Sequence, residues 1–165
     1  WIEVRPGDVV PVEPGTIHAI GEGIVLLELQ ETSDTTYRLY DYGRLGLDGK
    51  PRDLHVEQGL EVLRFESSDP VVKPQPLEGP GHRELLLEND ALIMHRWSFE
   101  ESVTLPADSS RCWLVTALDG KVTLETDSAV PRLTLKPGDS VLIPADLEVS
   151  FVPEHRASLF LGTAP

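Results

Sequence analysis

The chain has 165 residues, 40% hydrophobic and 25% charged, a composition that suits one ordinary domain or two small ones and holds no apolar run long enough to span a bilayer. Its net charge of −14, from 28 acidic against 14 basic residues, argues against nucleic acid or anionic membrane as partner, because the long-range field repels phosphate; an anionic small molecule would need local arginines or a metal. The single cysteine, Cys112, excludes an internal disulfide framework and fits a reducing, cytoplasmic setting.

The chain opens on WIEVRPGD, which reads as strand running into turn with no initiator methionine, so the expectation is that it continues a longer polypeptide. Short apolar runs at 9–12, 24–30 and 37–42 read as strands. In 24–30, Ile24, Leu26, Glu28 and Gln30 alternate with Val25, Leu27 and Leu29, so apolar residues fall on both faces and burial on both sides is expected. The return strand after SDTT places Arg38, Tyr40 and Tyr42 on one face, and a hairpin would bring Arg38 to Glu28. Helical spacing follows Asp53, where Val56, Leu60 and Leu63 recur at i, i+4, i+7; Asp53 is the expected N-cap, and Gly59 is an unexplained weak point. Residues 67–81 carry four prolines without periodicity and read as a linker between 1–66 and 82–165. The second part again shows short runs broken by Gly, Pro, Asp and Ser, the pattern of an antiparallel barrel or sandwich, so the expected class is all-β with one short helix.

The two parts share a pattern. PGDVVPVEPGTIHAI at 6–20 aligns with PGDSVLIPADLEVSF at 137–151 at a constant offset of 131 residues. Each has a Pro-Gly-Asp turn, a short strand, a second turn containing proline and another strand. His18 in the first copy corresponds to Val149 in the second. Taken alone, a histidine near a turn is more often a surface or satisfied core residue than a ligand, and a Glu–Arg cross-strand pair is more often structural than catalytic. The combination within one segment shifts that balance.

Gly, a short strand and then Pro-Gly-x-x-His resembles the second motif of the cupins, double-sheet jelly-roll barrels in which the histidine is a metal ligand. PGTIHA, LELQ, SDTTYRLYDYGR and GKPRDLH, in this order and spacing, resemble the type I mannose-6-phosphate isomerases in their short bacterial form, matching the C-terminal portion of that family. The resemblance implies that 1–66 is the C-terminal part of a catalytic cupin domain and 82–165 a second, degenerate cupin barrel without metal ligands, built for packing or assembly. It implies zinc as cofactor with His18 as the last ligand, the others lying upstream of residue 1, so this stretch alone should hold no tight zinc. It assigns Glu28 to the pocket wall, Arg38 to catalysis and Arg44 to the substrate phosphate. The implied reaction interconverts mannose 6-phosphate and fructose 6-phosphate, with a sugar phosphate as the small-molecule partner. Glu28 and a residue upstream remain equal candidates for the base. A non-enzymatic cupin module that binds a sugar or regulates a partner is the alternative. A first part cut before residue 1 should expose apolar faces and strand edges, to be covered by the second domain, by another copy in a homo-oligomer, or by upstream chain.

Overall fold

The computed structural model describes residues 1–65, 71–127 and 131–165, which divide into two compact units, Trp1–Val9 with Val72–Pro165, and Val10–Val71. Among the described residues the first unit contains ten strands: β1 (Gln75–Leu77), β2 (His82–Glu88), β3 (Ile93–Phe99), β4 (Val103–Leu105), β5 (Trp113–Asp119), β6 (Val122–Glu125), β7 (Leu133–Leu135), β8 (Ser140–Ile143), β9 (Val149–Pro153) and β10 (Ala157–Thr163). They form a six-stranded sheet in the order β1-β2-β3-β10-β5-β8 and a four-stranded sheet in the order β4-β9-β6-β7.

The antiparallel pairings nest: β3 with β10, β4 with β9, β5 with β8 and β6 with β7. A chain folded back on itself in nested pairs and then wrapped into two facing sheets is a jelly roll, the architecture that the cupins share. Period-two alternation supplies its core. Trp113, Val115 and Ala117 point inward from β5, Val122 and Leu124 from β6, Val149 and Phe151 from β9, and Ala157, Leu159 and Leu161 from β10. Phe151, Leu159, Leu161, Val115, Val122 and Val149 are fully buried, each removal from water stabilising by about 1.5–3 kcal/mol. Val149, the counterpart of His18, is 1% exposed, as the repeat predicts for an inward position.

The proline-rich stretch expected as a linker is in part structural. β1 pairs with β2, with Pro76 opposite Glu84. An edge strand can hold proline because its outer side needs no ladder donor, and the missing N–H discourages further strand addition. Val72 N–H donates to Val9 O, and Arg96 Nη1 to Gly7 O, so the segment before residue 10 joins the jelly roll. The unit therefore begins at residue 72 and recruits 1–9, where composition had suggested a start at 82; 67–70 of the expected linker lie outside the described residues.

The unit Val10–Val71 differs. It contains α1 (Val56–Val62) and one isolated bridge, Leu45 to Pro51. Among the described residues, 9–12, 24–30 and 37–42 carry no ladder pairing, against the expectation of three strands forming part of a first barrel. A strand requires a ladder of hydrogen bonds along a neighbour; Val9 and Arg38 each accept one main-chain bond, from Val72 and His55, and no ladder follows from either. Burial on both faces of 24–30 is absent for the same reason: Val25 is 99% exposed, and Ile24, Leu26 and Leu27 are exposed too. α1 lies where its periodicity places it, but its N-cap is His55, without a side-chain cap bond, rather than Asp53. Gly59 is accounted for by packing: a Cβ there would meet Leu39 Cδ2 at 2.5 Å, so a larger residue would require the Leu39 side chain to move.

Candidate functional site

Arg38 is pinned from both sides by His55. The His55 N–H donates to Arg38 O at 2.8 Å, and the Arg38 N–H donates to His55 Nδ1 at 3.2 Å. Nδ1 therefore accepts, and a neutral ring carries its proton on Nε2. Because the ring is engaged with Arg38, it does not cap α1. Arg38 Nη1 then donates to Asp53 O at 3.2 Å, using the residue expected as cap as a main-chain anchor instead.

The centre of the arrangement is Asp41, 6% exposed. Arg52 grips both carboxylate oxygens, with Nε to Oδ2 at 2.7 Å and Nη2 to Oδ1. Arg44 Nη2 stands 3.2 Å from Oδ1 and Arg38 Nε 3.8 Å from it. The hydrogen bonds from Arg52 hold the Asp41 carboxyl below its ordinary value against the opposing effect of burial, with the charges of Arg52, Arg44 and Arg38 acting in the same direction as the bonds. One carboxylate against three guanidiniums leaves a local surplus of two positive charges in a chain of net charge −14. Arg44 also lies over the Tyr42 ring at 5.8 Å, and Tyr42 meets Tyr40 edge-on at 4.8 Å.

Of the residues singled out from sequence, Arg38 and Arg44 come together around Asp41, whereas Glu28 and His18 do not join them. The hairpin expected to bring Arg38 to Glu28 is not formed; Glu28 is exposed and makes no hydrogen bond or ion pair among the described residues. His18 is exposed, with Nδ1 3.0 Å from Thr16 O. A carbonyl only accepts, so Nδ1 is the donor, the contact that a histidine binding a metal through Nε2 usually makes with its other nitrogen. One such nitrogen is not a metal site. Among the described residues no group of three or more His, Cys, Asp or Glu side chains could hold an ion, so these residues do not by themselves fit zinc. Sequence reasoning passed over Asp41 and Arg52, and read His55 only as a residue near the start of the short helix, where it does stand as N-cap. The signal was present in YRLYDYGR, where arginines stand three residues to either side of an aspartate, and in KPRDLH.

Comparison with known proteins fits the jelly roll first. The chain superposes on the crystal structure of mannose 6-phosphate isomerase from Bacillus subtilis with a TM-score of 0.66 at 22% identity, over 79% of this chain and 40% of that one, and so shares its fold. In sequence it is 34% identical over 154 residues to mannose-6-phosphate isomerase ManA of Bacillus subtilis, covering 88% of this chain and 46% of the relative. It is 32% identical over 148 residues to the mannose-6-phosphate isomerase of Streptococcus mutans, covering 87% and 44%. The probable mannose-6-phosphate isomerase GmuF of Bacillus subtilis is 36% identical over 108 residues, covering 64% and 34%. No family model matches the chain. The chain is thus similar to the mannose-6-phosphate isomerases along most of its own length, and it spans less than half the length of these relatives.

Proposed function

We propose that the full-length protein carrying this chain is an aldose–ketose isomerase that interconverts mannose 6-phosphate and fructose 6-phosphate. The observation that carries the reading is the 34% identity to a mannose-6-phosphate isomerase across 88% of the chain. The two surplus positive charges around Asp41 support it, since they give an acidic protein a local place for an anionic substrate.

The internal repeat supports the assignment of His18. At the offset of 131, His18 corresponds to Val149, which lies in the jelly-roll core. A first barrel built on the same plan would aim His18 into its lumen. In this reading Arg44 receives the phosphate as donor. A base takes the C2 proton and the C1–C2 double bond forms as O1 gains a proton; O2 then gives up its proton to become the C2 carbonyl as a proton returns to C1, which completes the ketose. Glu28 is the candidate base within this chain. Arg38, held by His55 and Asp53, offers guanidinium donors where oxygen charge develops. Zinc belongs to the reading as cofactor, with His18 Nε2 as one ligand and the others supplied from outside this chain; about one zinc per chain is expected in the full-length protein by elemental analysis.

The test is conversion of mannose 6-phosphate by the full-length protein, coupled to detection of fructose 6-phosphate. The reading requires turnover, and Arg38→Lys should lower kcat by about 100-fold with the fold retained, because a point charge cannot replace a planar fork. No conversion by the folded, zinc-loaded protein would reject the isomerase. Near-parental kcat in the lysine variant would reject the role of Arg38.

A further inference from the structure

Asp41 and Arg52 have no part in the chemistry above, yet they are the most tightly bonded charged pair of their unit. Asp41 accepts from both nitrogens of the Arg52 fork and is nearly closed off from water. With its lone pairs engaged and its carboxyl held below the ordinary range, Asp41 is unsuited to exchange protons with a substrate at neutral pH. Its surroundings suit another task. Arg44 and Arg38 approach the same oxygen, Oδ1, at 3.2 and 3.8 Å, the second too long for a hydrogen bond. Each thus spends little of its fork on Asp41. The Arg44 side chain is 65% exposed and that of Arg38 24% exposed.

We propose that Asp41 and Arg52 are positioning residues for the two substrate-facing arginines, an inference that rests on the isomerase reading and adds two residues to it. Arg52 neutralises and orients the Asp41 carboxylate. The carboxylate then sets the spacing of Arg44 and Arg38, two cations that would otherwise repel each other, so that their remaining donors converge on one anionic ligand. Such preorganisation removes the cost of gathering like charges when the ligand arrives. Arg52 acts only through Asp41, because its own fork is occupied there.

The field of the cluster and its positioning predict opposite signs, and this makes the proposal testable. Asp41→Asn removes a negative charge, so on field alone the site should bind inorganic phosphate more tightly. Positioning predicts weaker binding, by about 10-fold or more, because the anchor of the two arginines is lost. The experiment is calorimetric titration of the full-length protein with inorganic phosphate, for the parent, Asp41→Asn, Arg52→Lys and the double variant, with circular dichroism to verify folding and steady-state kinetics on mannose 6-phosphate. The expected result is weaker phosphate binding and higher KM in both single variants, with a double variant little worse than either, since the two act as one unit. Unchanged or tighter phosphate binding by folded Asp41→Asn, or additive losses in the double variant, overturns the proposal. Should an Asp41 variant fail to fold, Arg52→Lys alone, which keeps charge but loses the bidentate grip, carries the same test. A parent that binds phosphate without converting mannose 6-phosphate would reject the isomerase while leaving the positioning result readable.

Discussion

The two copies of the repeated segment make the same turns and then part company. At 5–8, Asp8 N–H donates to Arg5 O at 3.0 Å and Arg5 N–H to Asp8 Oδ2 at 2.8 Å, with Gly7 at φ +94°. At 136–139, Asp139 N–H donates to Lys136 O and Lys136 N–H to Asp139 Oδ2, both at 2.9 Å, with Gly138 at φ +91°. Eight residues further on, Gly15 at φ +85° and Asp146 at φ +63° again occupy equivalent places. Beyond the turns the second copy enters the ladders of β8 and β9, while its counterpart at 9–12 enters none among the described residues. A turn is closed by groups two or three residues apart and forms wherever its sequence occurs. A strand is completed by a neighbour remote in sequence, and the same local code yields no strand without one.

Truncating the core of the second copy should have the largest effect on this contrast. Phe151→Ala in β9 should destabilise the jelly roll by about 3–5 kcal/mol in urea unfolding, since Phe151 is wholly buried and packs edge-on to Trp97 at 6.5 Å. A loss under 1 kcal/mol would mean that this core is not what separates the copies. Next comes the turn itself. Gly138→Ala meets nothing within 4 Å, so its cost is conformational alone, about 1 kcal/mol; Gly7→Ala should cost the same and in addition displace Arg96, whose Nη1 would stand 3.0 Å from the new Cβ.

Acidification should act in a defined order on the jelly roll. Burial holds the His95 ring below its ordinary value of 6.5, so the unfolded chain takes up that proton first and stability begins to fall below about pH 6.5. Glu84 is held below its ordinary 4.5, chiefly by its hydrogen bond from Arg96, so its contribution is present above that value and is lost as pH falls through its lower folded value. Urea midpoints followed by Trp97 and Trp113 fluorescence should fall in these two steps, and a flat profile between pH 7 and 5 would contradict the burial of His95. The smallest effect is expected at Val25→Ala, within about 0.5 kcal/mol in this chain, because the side chain is exposed.

Much of the second copy was legible in sequence because alternation, turn residues and an inward position agree there: Val149 is buried, as the repeat predicts. The proline-rich stretch misled because proline in an edge strand and proline in a linker read alike until the pairing of β1 with β2 is seen. In the first copy, alternation at 24–30 predicted two buried faces, but periodicity says which residues could be buried together, not that a partner is present. The site was half legible. Arg38 stood out for a hairpin with Glu28 that does not form, and Arg44 only through the family resemblance, whereas Asp41 resembled one more surface acid among 28 until Arg52, eleven residues on, was found gripping it.

Hydrogen exchange, read segment by segment on this chain and on the full-length protein, tests most directly whether partner strands are what distinguishes the copies. Amides of β3, β5, β9 and β10 should be protected in both. Those of 24–30 should exchange near the unprotected rate in this chain and slow by about 100-fold or more once the rest of the polypeptide is present. Equal protection of 24–30 in the two preparations, whether high or low, would contradict the account.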